Sequence, residues 1–319
     1  MPSHYSFNEM LQNTLPHYRR IVNPGDKVLI ISDTRVEDDV PQVFSAAART
    51  LEAEPTIMII KPLARDYEDP PEAVFRAAEV SDVLHYAAST AFAHSQFGVQ
   101  MTHLQKRRIN SDNIDARQLV DGAILADPED IKMWQRRINK YWEEGKKVHI
   151  TSALGTDLWI DIEGRRPFRG HNFPHIQFPG GEAMLPPMED TAEGVLVVDK
   201  CVHFIGDIRV PLKLTIEKGT IKKIEGGDEA RRFERWLETY SDENGYRLCE
   251  LAVGTNPEAY FMGSMRQDRF ILGSSHVGFG LNNDVGGTID SNIHYDLIYS
   301  CPTIEVDGEV IIKDGKILV

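Results

Sequence analysis

The sequence predicts an α/β protein, with an N-terminal Rossmann-like parallel α/β domain over 1–146 and a mixed α+β metal-binding catalytic domain over 147–319. Three observations lead there. Strand-type and helix-type patterns alternate through the first half, which argues for a parallel sheet covered by helices on both faces. Short alternating strands joined by Lys-Gly and Asp-Gly pairs dominate the second half. With 319 residues the chain exceeds the size that one hydrophobic core serves comfortably, so two domains are the natural partition.

The first segment, Phe7 to Arg20, carries Phe7, Met10, Leu11, Thr14, Leu15 and Tyr18 at helical spacing and ends at Asn23-Pro24-Gly25-Asp26. Lys27 to Ser32 is a continuous apolar run of strand type, followed by a helix from about Val40 to Glu52 and a strand from Thr56 to Ile60. A helix over Pro71 to Ala78 and an extended stretch over Val80 to His85 continue the alternation. Gln135 to Glu144, with Trp134, Ile138, Tyr141 and Trp142 on or near one face, reads as the helix that closes the domain, and Gly145-Lys146-Lys147 as the boundary. Strands are then expected at Val148–Thr151, Leu158–Ile162, Gly194–Val198, Val210–Glu217, Thr220–Glu225 and Val310–Val319, with a helix near Glu229 to Thr239. Lys218-Gly219, Asp307-Gly308 and Asp314-Gly315 supply the hairpin turns.

Composition narrows the function. A net charge of −14, from 35 basic and 49 acidic side chains, disfavours nucleic acid or an anionic membrane as partner. Lys106-Arg107-Arg108 is too short to reverse this and reads as a solvated turn or helix end. The first strand leads into Ser32-Asp33-Thr34-Arg35 and lacks both glycine-rich phosphate-binding patterns, so a Rossmann-like layer without a nucleotide is expected. Cys201, Cys249 and Cys301 are too few and too scattered for a disulfide framework, and Cys249 reads as a small buried filler. Met1 to Asn8 carries no signal segment and no run of ~18 apolar residues occurs, which points to a cytoplasmic protein.

Five metal-competent side chains mark the second half: Glu182, Glu250, His276, His294 and Asp296. Each lies in a segment marked by glycine, proline or asparagine, and most are expected in loops, where backbone geometry can be set freely. His294 and Asp296 are two apart, so in an extended segment they point to the same side and can meet one metal. Three carboxylates and two imidazoles suit divalent Zn, Mn, Co or Fe(II) and leave coordination positions for water or substrate. Asn282, Asn283 and Asp284, a few residues beyond His276, are candidates to orient substrate.

The order of these segments resembles the aminopeptidase T family of metallo-aminopeptidases. The resemblance runs from Ile150-Thr151-Ser152 and Gly155-Thr156-Asp157-Leu158 through Pro179-Gly180-Gly181-Glu182 and Ile208 to Gly219. It continues to Glu250-Leu251 with Gly254-Thr255-Asn256-Pro257, Gly273 to His276, and Ser291 to Asp296. It implies two divalent cations, Zn, Mn or Co, that activate a water to cleave an amide bond in a small-molecule or short-peptide substrate, in a homodimer. Glu250 would be the bridging carboxylate, with Glu182 and Asp296 completing one metal and His276 and His294 weighted to the other. One position departs from the pattern: the family carries a tyrosine seven residues after the first metal-binding histidine, and here that residue is Asn283. Its amide can donate to an oxyanion but cannot replace a phenol as proton donor, which makes Asn283 a candidate catalytic residue of altered character. The same fold family includes 2,5-dihydroxypyridine 5,6-dioxygenases that use Fe(II), for which His276, His294 and Asp296 are the alternative ligand set. Retention of Glu182 and Glu250 favours the hydrolase over that alternative.

Overall fold

Strand Lys27–Asp33 sends Val28 and Ile30 into one hydrophobic cluster and Leu29 and Ile31 into another. Successive side chains of a strand point to opposite faces, so this apolar run is covered on both sides. Helices Phe7–Tyr18 and Asp39–Thr50 supply Met10, Tyr18, Val43 and Phe44 to the first cluster. Helices Glu72–Glu79 and Gln96–His103 supply Val74, Ala78, Phe97 and Met101 to the second. The computed structural model describes residues 4–168 and 175–319. In it, Lys27–Asp33 pairs with Glu54–Ile60 on one side and Val83–Tyr86 on the other, and Arg107–Asn110 and His175–Gln177 follow outward. All four pairings are parallel, as the sequence pattern predicts.

The chain divides into one unit of residues 1–128 with 170–180 and a second of 129–169 with 181–319, rather than at 146/147. Helix Pro128–Glu144, expected to close the first domain, packs almost wholly within the second unit, because Trp142 Nε1 donates to the Ala183 carbonyl at 3.2 Å and Gln135 Nε2 to that of Glu182 at 2.9 Å. Lys106-Arg107-Arg108 is also corrected. Arg107 lies on a strand and pairs both nitrogens with Asp26, at 2.7 and 2.5 Å, while Arg108 is 3% exposed.

The second unit holds two antiparallel sheets. In the eight-stranded sheet the expected hairpins are present, and both turn residues take positive φ: Lys218 and Gly219 at 48° and 68°, Asp307 and Gly308 at 51° and 86°, Asp314 and Gly315 at 48° and 78°. That geometry matches the twist of the flanking strands. Helix Asp228–Glu238 buries Ala230, Phe233 and Leu237. The six-stranded sheet runs Gly206–Asp207, Cys201–Val202, His294–Tyr299, Ser275–Gly280, Leu248–Gly254 and Glu182–Leu185. Every residue of its three central strands is buried, so no alternation of exposed and buried positions betrays them in the sequence. The ligand candidates expected in loops therefore stand on strands. No helix among the described residues is long and apolar enough to cross a membrane.

Candidate metal centre

Strand register brings all five candidates to one face of the six-stranded sheet. Glu250, Gly278 and Asp296 form one row across three adjacent strands. His276 lies two residues before Gly278, His294 two before Asp296, and Glu182 pairs with Gly254, in the same parity as Glu250. Residues two apart and residues directly opposite share a face. Gly278 keeps the centre of that row open: a Cβ there would stand 2.8 Å from Glu250 Cβ and 3.3 Å from Asp296 Oδ1.

The functional groups converge. His276 Nε2 lies 3.2 Å from Glu250 Oε1 and 3.6 Å from Glu182 Oε2. His294 Nε2 lies 3.5 Å from Glu250 Oε2 and 3.3 Å from Asp296 Oδ1. Two donor groups result, Glu182–Glu250–His276 and Glu250–His294–Asp296, each with its ligand atoms within 4.8 Å of one another, and they share Glu250. His276 and Asp296 are 0% and 1% exposed.

This donor set fits a divalent cation. His294 Nδ1 lies 2.8 Å from the Leu281 carbonyl, which can only accept, so that nitrogen carries the proton. In the neutral ring the Nε2 lone pair then faces two carboxylates, an arrangement that repels unless a cation stands among them. Glu182 Oε2 and Asp296 Oδ1 are buried and accept no well-aligned hydrogen bond, although buried carboxylate oxygens ordinarily find donors. The protein's own charges report the same deficit. Burial alone would lower the pKa of His276, but the bond to Glu250 and the charges of Asp296 and Glu182 outweigh it and raise it. Burial likewise opposes charge on His294, and Cys249 and Asp296 reverse it. Asp296, which burial would raise, is held well below the usual carboxylate range by His294, His276 and Arg269. Glu182 is pushed up by burial against the opposing pull of Arg269 and His276.

Arg269 also belongs to the centre, although no motif in the sequence singles it out. Its Nη1 donates to Asp296 Oδ2 at 3.0 Å, its Nε is 3.7 Å from Glu182 Oε2, and its side chain is 9% exposed. In the sequence it sits in Arg266-Gln267-Asp268-Arg269, a charged run indistinguishable from a solvated surface, yet all four residues are buried. Asn283 does not join the cluster: its side chain is exposed and donates to Asp290 at 3.3 Å. Asn282 is the buried one, donating to the Cys249 carbonyl at 3.1 Å and accepting from Ile289 N at 2.8 Å. Cys249 is buried, and its thiol is pushed up to about 11, chiefly by that burial.

Comparisons with known proteins bear on this centre. The family model described as NicX, 2,5-dihydroxypyridine 5,6-dioxygenase, matches residues 8–319. The 2,5-dihydroxypyridine 5,6-dioxygenase of Pseudomonas putida is 26% identical over 199 residues, an alignment covering 55% of each protein. The match thus spans about half the length of that curated relative. In fold, the structure of 2,5-dihydroxypyridine dioxygenase from Pseudomonas putida KT2440 superposes with a TM-score of 0.83 at 19% identity, covering 99% of this chain and 98% of that one. Wild-type AmpT from Thermus thermophilus superposes with a TM-score of 0.71 at 15% identity, covering 98% and 100%. At these identities the two structural likenesses establish a shared fold.

Proposed function

The chain belongs to the 2,5-dihydroxypyridine 5,6-dioxygenase family, and from that premise we propose that it is an Fe(II)-dependent enzyme that opens a hydroxylated pyridine ring. The hydrolase expected from the aminopeptidase T motifs is overturned, and with it the aminopeptidase and protease assignments. The family match spans residues 8–319, whereas the likeness to AmpT is one of fold at 15% identity. Glu182 and Glu250, the ground for preferring hydrolysis, do not decide between the two, because ligand types constrain the metal and not the reaction.

The observation that carries the reading is that Glu250, His294 and Asp296 bring ligand atoms within 4.8 Å of one another at one buried centre, with His276 3.2 Å from the same Glu250, in a chain matched over residues 8–319 by this family. An imidazole and two carboxylates, with a second imidazole against one of those carboxylates, are nitrogen and oxygen donors that suit Fe(II), in place of the set His276, His294 and Asp296 expected from the sequence. His294, Asp296 and Glu250 would hold the iron, with His276 brought to the same carboxylate. Bound Fe(II) would supply a redox-active centre at which ring and dioxygen meet. The protein's own residues do the rest: the Leu281 carbonyl fixes the tautomer of His294, Arg269 holds Asp296 in place, and the buried strands limit access of water. Cleavage between ring carbons 5 and 6 that incorporates both oxygen atoms of dioxygen needs no external reductant.

The test is oxygen uptake by Fe(II)-loaded protein given 2,5-dihydroxypyridine, followed together with loss of the ring's ultraviolet absorbance. One dioxygen consumed per ring opened is expected, with none in protein stripped by chelator. Uptake no faster than in the stripped control would sink the reading.

A further inference from the structure

We propose that Arg269 sets the metal content of this centre at one divalent cation by occupying, as a fixed charge, the electrostatic place of a second. The inference deepens the dioxygenase reading and rests on it for the choice of a single metal.

The layout of donors is that of a two-metal site. Two overlapping groups share Glu250, and a carboxylate between two cations is the usual device for offsetting their repulsion. Arg269 reaches one carboxylate from each group: Asp296 at 3.0 Å from the group containing His294, and Glu182 at 3.7 Å from the group containing His276. Charge counting then favours a single ion. Three carboxylates and one guanidinium leave two negative charges, which one divalent cation balances with both imidazoles neutral. A second cation would leave a surplus of two positive charges beside a buried guanidinium, and uncompensated buried charge is costly. The guanidinium cannot relieve this by losing its proton. Nor is it free to withdraw, since its carbon lies 4.9 Å from the ring centre of Phe270, which is itself 0% exposed.

A guanidinium that merely stabilised the fold would not control stoichiometry, and this separates the two roles. Parent protein, Arg269→Met and Arg269→Lys are stripped of metal, loaded anaerobically with excess Mn(II) and freed of unbound ion, and the ratio of metal to chain is measured alongside the paramagnetic resonance spectrum. The parent and Arg269→Lys are expected to hold one Mn(II) per chain with an uncoupled signal. Arg269→Met, which removes the charge and keeps the bulk, is expected to approach two, with a spin-coupled signal. A ratio of one in folded Arg269→Met overturns the role of Arg269 and leaves the dioxygenase reading standing. A ratio of two in the parent overturns the single-metal reading itself. Should Arg269→Met fail to fold, Arg269→Gln, whose amide still donates toward Asp296, is expected to take two, and a ratio of one there likewise overturns the assignment.

Discussion

His294 donates from Nδ1 to the carbonyl of Leu281 at 2.8 Å, and this bond determines which ring nitrogen faces the carboxylates. Leu281 directly follows the strand that carries His276, so the segment leaving one imidazole orients the other. A partner of this kind raises ligand basicity and fixes the ring before metal arrives.

The first prediction concerns the ligands. His294→Ala should weaken Fe(II) or Co(II) binding by at least about 100-fold, because it removes a donor from a site that offers no replacement. Glu182→Gln should stay within about 10-fold of the parent, since Glu182 lies outside the group formed by Glu250, His294 and Asp296. Competition against a coloured chelator reads both, and circular dichroism checks the fold. Equal affinities in the two variants would refute this ranking.

Gly278→Ala tests the open row. The new methyl group would press on Glu250 and Asp296 from the strand between them. Crowding of this kind typically costs about 1–3 kcal/mol, and metal affinity should fall by about 10-fold or more. A variant whose urea midpoint and metal affinity both match the parent would show that the row tolerates a side chain.

Asn282 and Asn283 should behave differently despite being neighbours. Asn282→Ala strands the Cys249 carbonyl and the Ile289 amide, both buried, at a cost of about 2–4 kcal/mol for two lost partners. Asn283→Ala removes an exposed contact and should change stability by less than about 0.5 kcal/mol. Chemical denaturation measures both, and oxygen uptake by Asn283→Ala should stay within about twofold of the parent. A large loss of turnover in Asn283→Ala would return that residue to the active site.

Acid should destabilise the first unit through two buried histidines. Burial lowers His17 to about 4 and His85 to about 3, whereas both take up protons near 6.5 when unfolded. Between those values the unfolded chain binds more protons than the folded one. Stability is therefore fully present above about pH 6.5 and falls as pH drops toward 4, by about 1.4 kcal/mol per pH unit for each histidine. His17→Gln should lessen the slope of unfolding free energy between about pH 6.5 and 4.5 by one such share. Superimposable slopes in parent and variant would contradict the assignment.

Much of the architecture is legible in the residues. The apolar run from Lys27 specifies a strand inside a parallel sheet, because both of its faces are apolar and must be buried. Lys218-Gly219, Asp307-Gly308 and Asp314-Gly315 specify hairpins, because those pairs accept positive φ. The spacing of His294 and Asp296 places them on one side wherever the chain is extended, and the metal-competent types themselves are visible.

What the sequence by itself determined is therefore the class of each half and the presence of side chains able to hold a metal, since both follow from local pattern and side-chain chemistry. Only the tertiary structure decided how those donors combine. Glu182 joins them through its register with Gly254, Glu250 and Asp296 meet across a glycine, and Arg269 enters as a buried cation from a segment that looks solvated. The same holds for the choice of Asn282 over Asn283 as the buried amide, and for the helix Pro128–Glu144 and the strand His175–Gln177 that shift the division between units. Each of these depends on contacts between residues far apart in the chain, whose free energy comes from burial and pairing and leaves no mark on the local pattern.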